Sequence, residues 1–474
     1  MYLRFLLPQQ RVFIRTITQV TGKQINGRIE PARTVRGTHD RFGVENEKFT
    51  HIQKIGTSIA ELYCFEQIST PILEFSQVFE RTLGSESDIV GKELYSFIDH
   101  DDKLTLRPEG TAGIVRALIN NNMDRDLPKK FYYHGPMFRR ERPQKGRLRQ
   151  FEQFGVEMFG YENPTSDIEI IEMAWVFLNK IDTGIPFELE INSLADMESR
   201  TRYCEVVKDY LLQNSSHLSS DSVKRISTNP LRVLDSKNPE DIPIIQNCPS
   251  ITEFYNTKSA ERFNAVCQGL QKLEIPYKVN PRLVRGLDYY EDTIFEFKCT
   301  DSRLGVSQGT VLAGGRYDSL VQLMGGKEKV PGIGWAAGVN RLAAILRDDI
   351  TIPRERPIAI VIIQDRDKTI LSTGNCRKNN DMMLHYYGLK ISSVLRSYNI
   401  KTFFYHTPNA HKLSLKTILA NVVKTNASHA ILIGESEVMN DKVTLKDLDL
   451  KIQNEYKFED VVQIVLKSRE IKNS

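Results

Sequence analysis

A chain of 474 residues is too long for one hydrophobic core and implies about two or three domains at roughly 150 residues each. Apolar residues make up 40% and charged residues 26%, as in ordinary globular proteins, and no uninterrupted apolar run approaches the ~20 residues that span a bilayer, which argues against a membrane partner. The net charge of +4 is too small to make the whole surface a polyanion site, so any nucleic-acid contact must come from local clusters. Six irregularly spaced cysteines without a C-x-x-C pair indicate neither a zinc site nor a disulfide framework, and free thiols in a reducing compartment are the simplest reading.

Residues 1–30 stand apart. Their first 29 residues hold no acid and interleave Arg4, Arg11, Arg15, Lys23 and Arg28 with apolar side chains, the composition of a mitochondrial transit peptide. A basic tail able to touch RNA has the same composition. From Phe49 onward, Phe49, Ile52, Ile55, Ile59 and Leu62 recur every three or four residues and predict one helical face. "FEQISTPILE" reads as a strand whose Pro71, lacking an N–H, belongs at an edge, a bulge or a break. "TLRPEGTAGIVRAL" then puts Glu109 and Thr111 in a turn-rich loop ahead of a helix.

The segment "FYYHGPMFRRERPQKGRLRQFEQFGVEMFG" carries two strand-like runs, Phe131 to Arg139 and Gln150 to Phe159, and predicts a long hairpin. Arg139, Arg140, Arg142, Lys145, Arg147 and Arg149 crowd its tip. Alternation on the second strand places Gln153, Gly155 and Glu157 on one face, with the glycine as an open floor between two polar groups. Beside a guanidinium, that face makes a pocket for a small zwitterion next to a phosphate; a solvated hairpin is the plain alternative.

The span from Met197 to about Leu273 is polar, mostly helical and reads as an insertion. "RGLDYYEDTIFEF" brings Arg285 and Gly286 directly before Tyr289, Tyr290 and a strand-like run. "AGGRYDSLVQLMGG" sets Arg316 and Tyr317 at a strand-to-helix junction, and "GIGWAAGVNRLAAIL" runs through Gly338 into a helix bearing Arg341. Small residues at these junctions allow a planar or phosphorylated ligand close to the backbone, although tight strand-to-helix packing has the same composition. Charge and proline mark a boundary near residue 353. Beyond it, strands at 358–363, 402–405 and 430–434 alternate with helices at 384–398, 413–424 and near Val461, which predicts a small α/β domain with a largely parallel sheet.

The Pro71 segment, the arginine hairpin and "GIGWAAGVNRL" resemble motifs 1, 2 and 3 of class II aminoacyl-tRNA synthetases. "RGLDYYEDTIFEF" and "AGGRYDSL" resemble the two histidine-specific motifs of the histidyl-tRNA synthetases, and "RPEGT" and "TNPLRVLDSKNPE" fit the same family. The resemblance runs from Val35 to the C-terminus. It implies an α/β fold class: an α+β catalytic domain with an antiparallel sheet over 31–196 and 274–350, a helical insertion over 197–273, and an α/β anticodon-binding domain over 355–474.

Activation of L-histidine by ATP and transfer of the histidyl group to histidine tRNA are implied, with Mg²⁺ accompanying the nucleotide. Carried onto this sequence, Arg139, Arg147 and Arg341 match ATP-binding positions, and Arg285 matches the arginine expected on the α-phosphate and the substrate carboxylate. Glu109, Thr111 and Gln153 match the ammonium site, Glu157 and Tyr290 the two ring nitrogens, and Tyr289 and Tyr317 the pocket lining. Motif 3 reads "GVNR" here, with Asn340 where the family usually has an acid. The resemblance also implies a homodimer through motif 1. A regulatory or RNA-binding paralogue without catalysis is the rival reading, opposed by the presence of Arg139, Arg285, Arg341 and residues 355–474.

Overall fold

The computed structural model describes residues 24–25, 28–29, 32–83, 89–141, 147–304, 309–347, 355–363, 374–405 and 413–473. The transit-peptide reading falls outside the described residues, apart from the paired two-residue strands Gln24–Ile25 and Arg28–Ile29. The tip residues Arg142 and Lys145 also fall outside them. The chain divides into two compact units, Met1–Ile352 and Pro353–Ser474.

The first unit opens with α1 (Gly43–Leu62), then β1 (Glu66–Gln67) and β2 (Leu73–Phe75), so the proline segment is two short strands broken at Pro71. β3 (Tyr95–Asp99), β4 (Asp102–Leu106) and α2 (Thr111–Asn120) lead to the hairpin strands β5 (Lys129–Phe138) and β6 (Gln150–Phe159). α3 (Pro164–Ile181), β7 (Glu188–Ser193), α4 (Met197–Gln213) and α5 (Thr257–Lys272) follow. β8 (Tyr277–Val279), β9 (Glu291–Lys298), β10 (Thr310–Arg316), β11 (Gly332–Gly338) and α6 (Val339–Ile345) complete the unit. The starts of α3, α4 and α5 are set locally: Asn163, Asp196 and Asn256 each accept a backbone N–H of the first turn.

Eight strands form one sheet in the order β8-β7-β9-β10-β11-β6-β5-β1. The six central strands are antiparallel, and the edge strands β8 and β1 pair in parallel. Strand alternation separates two cores. Phe154, Val156 and Met158 of β6 pack with the apolar faces of α1, α3 and α5. Phe131, Tyr133 and Met137 of β5 join α2, α4, Tyr289 and Tyr317 in the other core. The functional side chains lie on that second face. The helical span after Met197 shares both cores, since Tyr203 and Val207 join the second and Phe263 and Val266 the first.

In the second unit, β12 (Ile358–Ile362), α7 (Gly374–Ser397), β13 (Thr402–Phe404), α8 (Leu415–Lys424), β14 (His429–Ile433), β15 (Lys442–Asp447), β16 (Gln453–Lys457) and α9 (Val461–Asn473) build a five-stranded sheet, order β13-β12-β14-β15-β16. Only β13, β12 and β14 run parallel; β15 and β16 add an antiparallel hairpin, so the sheet is mixed rather than largely parallel. The polar sequences "KVTLKD" and "QNEYK" hide those strands because β16 is mostly exposed.

Candidate active site

Gln153, Gly155 and Glu157 do share one face of β6, but the glycine is not an open floor. The β5–β6 register sets Gly155 opposite Tyr133, and a Cβ on Gly155 would lie 2.5 Å from the Tyr133 ring. The glycine seats that ring between the two polar residues. Glu157 is 1% exposed and accepts hydrogen bonds from Thr111 Oγ1 at 2.6 Å and from the Tyr317 hydroxyl. Across the next ladder stands Gly334, where any side chain would strike the Glu157 carboxylate. Burial, reinforced by the neighbouring Glu109, pushes the Glu157 pKa up to about 8 against the pull of its hydrogen bonds.

Glu109 is also buried, and its carboxylate accepts the backbone N–H groups of Thr111 at 2.8 Å and Ala112 at 2.9 Å, at the start of α2. Burial raises its pKa, while those bonds and Arg139 oppose the rise. Tyr289, Tyr290 and Tyr317 close the chamber: the Tyr289 and Tyr290 rings are 4.7 Å apart, and Tyr317 meets Tyr289 edge-on at 5.7 Å. Among the described residues the Tyr133 and Tyr289 hydroxyls and Gln153 Oε1 are buried and find no hydrogen-bond partner. Each such group costs about 1–3 kcal/mol while nothing polar meets it, which marks the cluster as a candidate site for a polar ligand.

Gln153 also lines an adjoining cleft with Arg139, Arg147, Arg285 and Arg341. Arg139 Nε donates to the Pro108 carbonyl at 3.0 Å, and its guanidinium lies 5.3 Å from the Phe151 ring, which ties the hairpin to the loop carrying Glu109. Arg147 pairs with Glu141 at 3.1 Å, and Arg285 Nη1 donates to Glu296 at 2.9 Å while its buried Nε finds no partner among the described residues. Arg341 donates to the Thr310 carbonyl; burial and then the charges of Arg147 and Arg139 lower its pKa to about 10. Crowded cations that raise one another's energy are relieved by an anion.

The peptide "RGLDYYEDTIFEF" is a loop up to Tyr290 and a strand only from Glu291. It is clasped from outside: Arg200 Nη1 donates to the Asp288 and Tyr290 carbonyls at 2.7 and 2.8 Å, and Asn229 donates to the Asp288 carboxylate at 2.7 Å. The glycine junctions behave differently from the expectation that they admit a ligand. Gly314, Gly315 and Gly334 face Trp335, Tyr290 and Glu157 respectively, so their missing side chains make room for protein. Gly338 does line the cleft. Asn340 accepts the Glu152 backbone N–H at 2.7 Å and thereby extends the β11–β6 ladder by a side chain.

Tyr133, Glu296 and Thr310 were not singled out by the sequence motifs. Alternation from Gly155 to its opposite residue was the signal for Tyr133, once the hairpin register was known. The structure thus clusters Glu109, Thr111, Glu157, Tyr289, Tyr290 and Tyr317, and sets Gln153 with Arg139, Arg147, Arg285 and Arg341 in one cleft.

The histidyl-tRNA synthetase family model matches residues 37–195 and 232–342. The chain belongs to the histidyl-tRNA synthetase family. It is 43% identical over 416 residues to the histidine–tRNA ligase of Rhodospirillum rubrum, covering 88% of this chain and 94% of that protein. Identity to the histidine–tRNA ligase of Gluconobacter oxydans is 40% over 435 residues, covering 92% and 98%. Among solved structures, the apo histidyl-tRNA synthetase of S. aureus superposes with a TM-score of 0.72 at 30% identity, covering 92% of this chain and 99% of that one.

For this synthetase the Mg²⁺ expectation can be tested on the donor set. The cleft carboxylates are already engaged: Glu141 with Arg147, and Glu152 with Arg41 at 2.8 Å. Among the described residues no group of three or more His, Cys, Asp or Glu side chains could hold a metal. Engaged in these ion pairs, the cleft carboxylates do not make a resident metal site among the described residues.

Proposed function

We propose that this chain is a histidine–tRNA ligase that activates L-histidine with ATP and passes the histidyl group to the 3′ end of histidine tRNA. The observation that carries the reading is the junction at Gln153: on the same strand face as the buried Glu157, with its acid and tyrosine neighbours, Gln153 lines a cleft with four arginines, Arg139, Arg147, Arg285 and Arg341. An amino acid with a polar ring fits the first, and a polyphosphate fits the second.

In the first step a histidine carboxylate oxygen attacks the α-phosphorus, the bond to the bridging oxygen breaks, and pyrophosphate leaves. Charge builds on the phosphoryl oxygens, and Arg139, Arg285 and Arg341 stabilise it from fixed positions. Arginine suits these roles because its planar fork bonds phosphate or carboxylate bidentately and stays charged, even for Arg341 near pKa 10. Glu109, Thr111 and Gln153 receive the ammonium, Glu157 takes one imidazole nitrogen and Tyr290 the other. In the second step the terminal ribose hydroxyl attacks the carbonyl carbon of the adenylate and AMP leaves.

The reading extends to partners. The tip of the arginine hairpin meets the acceptor end of the tRNA, the unit from Pro353 reads the anticodon, and residues 1–30 direct the chain to the mitochondrial matrix. Exposed Ile72, Leu73 and Phe75 around β2, with Phe97 and Ile98 of β3, support a homodimer. Histidine-dependent ATP–pyrophosphate exchange on the purified protein tests the core of the proposal, and absence of exchange with intact folding refutes it. A fragment ending at Asp349 should keep exchange and charge tRNA poorly; full charging by the fragment removes the anticodon role from the second unit.

A further inference from the structure

The charged face of β9 has no part in the assignments above. Antiparallel register puts Glu296 directly opposite Glu190 on β7, and both residues are buried. Two carboxylates facing each other across strands repel. The structure holds them together with cations: Lys298 Nζ lies 2.7 Å from Glu190 and 2.7 Å from Glu296, and Arg285 Nη1 lies 2.9 Å from Glu296 Oε2. Asn280, on the chain segment leading to Arg285, donates to Glu190 at 2.6 Å. Thr310 Oγ1 donates to the same Glu296 oxygen at 3.0 Å, and the carbonyl of Thr310 accepts Arg341 Nη1.

Thr310 therefore touches the anchoring of both arginines, one through its hydroxyl and one through its backbone. Arg285 is gripped at Nη1 and its buried Nε finds no partner among the described residues, so one edge of the guanidinium is anchored and another is left for a ligand. An ungripped arginine has many rotamers, and fixing it in advance removes an ordering cost from the reaction.

We propose that Glu296 and Thr310 are positioning residues that hold Arg285 and Arg341 as a preorganised pair facing the α-phosphate of ATP. The proposal rests on the assignment of those two arginines to the phosphates. Neither positioning residue is assigned to a substrate group, so the effect passes through the arginines and appears mainly in turnover, with a smaller change in histidine binding through Arg285. Burial alone would raise the Glu296 pKa, but Arg285 and Lys298 outweigh it and keep the carboxylate ionised.

The test is ATP–pyrophosphate exchange by the full-length protein carrying Glu296→Gln or Thr310→Val, each alone and combined with Arg285→Ala. Glu296→Gln keeps the shape of the side chain and weakens the grip. It should lower kcat by about tenfold or more while the histidine KM stays within about twofold. Thr310→Val removes one hydroxyl, keeps the carbonyl that holds Arg341, and should cost about threefold. Both losses should vanish in the Arg285→Ala background, because the grip has nothing left to hold.

A normal kcat in Glu296→Gln, or an equal fold-loss with and without Arg285, overturns the proposal. Should Glu296→Gln fail to fold, Thr310→Val decides by the same comparison. Wild-type exchange by Arg285→Ala would instead defeat the phosphate assignment, and the positioning role with it. A silent Glu296→Gln beside a severely impaired Arg285→Ala defeats the positioning role alone.

Discussion

The chamber and the cleft share Gln153, yet they handle charge in opposite ways. The chamber buries two carboxylates beside tyrosines and lets burial move their protonation, so that Glu157 titrates near pH 8. The cleft uses arginines, which burial and mutual repulsion barely bring within reach of deprotonation; Arg341 falls only to about 10. A ligand that must be selected by its own proton pattern meets groups with adjustable protons. A triphosphate, recognised by charge and shape, meets groups that stay charged.

Removing a cation from the cleft breaks this comparison most severely. Arg285→Ala should reduce exchange by about two to three decades, the range seen when a fixed donor to developing charge is lost. Thermal melting should change little, because the side chain is part-exposed and its partner Glu296 retains Lys298. Arg285→Lys should recover only part of the rate, since an ammonium cannot make a forked contact. An alanine variant with near-normal turnover would reduce Arg285 to an ion pair.

The corresponding break in the chamber is smaller. Glu157→Ala deletes one charge-assisted partner of the imidazole, worth about 1.5–3 kcal/mol in a buried site, or about one to two decades in histidine efficiency. The loss should fall on the histidine dependence and hardly on the KM for ATP. Gln153→Ala should weaken histidine and its ring-modified analogues alike, because its partner is the ammonium. Exchange kinetics with such analogues decide: if Glu157→Ala still separates them as wild type does, Glu157 is not the imidazole reader.

The two regions were unequally legible in the sequence. Arg139 stands out because it sits at a hairpin tip where so much positive charge has no packing purpose, whereas Arg285 and Arg341 are legible through the resemblance of their motifs to the family. Tyr133 did not, since a strand of aromatics gives no sign of which ring will lie over a distant glycine. Glu296 and Lys298 look like an exposed polar face, and only the pairing of β9 with β7, roughly a hundred residues earlier in the chain, makes Glu296 and Glu190 a buried carboxylate pair flanked by the part-exposed Lys298 and Arg285. The same non-local pairing decides the glycines: composition says that Gly334 is small, and register says that Glu157 needs the space.

Protonation sharpens the comparison further. The folded chain holds the Glu157 proton more tightly than the unfolded chain does, so the stability it contributes is complete at low pH and is lost as pH rises from about 4.5 towards about 8. Bound histidine places cationic and N–H groups beside the carboxylate and should draw it back to the ionised form. Histidine affinity should therefore gain about fivefold as pH rises from about 7 to about 8, with release of a proton. Titration calorimetry in buffers of different ionisation enthalpy reads that proton. Glu157→Gln should bind without it, and release unchanged in that variant would place the titrating group elsewhere. The cleft should show no counterpart over the same range.

A modest effect is expected at Asn340, where the cleft is stitched to the strand that carries Gln153. The side chain accepts the Glu152 N–H at 2.7 Å, just where the β11 backbone leaves the ladder to enter α6. Asn340→Ala leaves that donor without its partner. The site is only part-buried, so water can repair some of the loss, and the cost should be about 1 kcal/mol, or roughly fivefold. Because α6 carries Arg341 while Glu152 adjoins Gln153, the change should appear mainly as a raised KM for ATP with a smaller shift for histidine. Asn340→Asp keeps the acceptor and therefore the stitch, but adds a negative charge to the residue beside Arg341. It should fold as wild type and weaken ATP by only a few-fold, with the deficit shrinking as salt is added. If the alanine and aspartate variants lose equally in KM and neither responds to salt, Asn340 does not act through the Glu152 hydrogen bond.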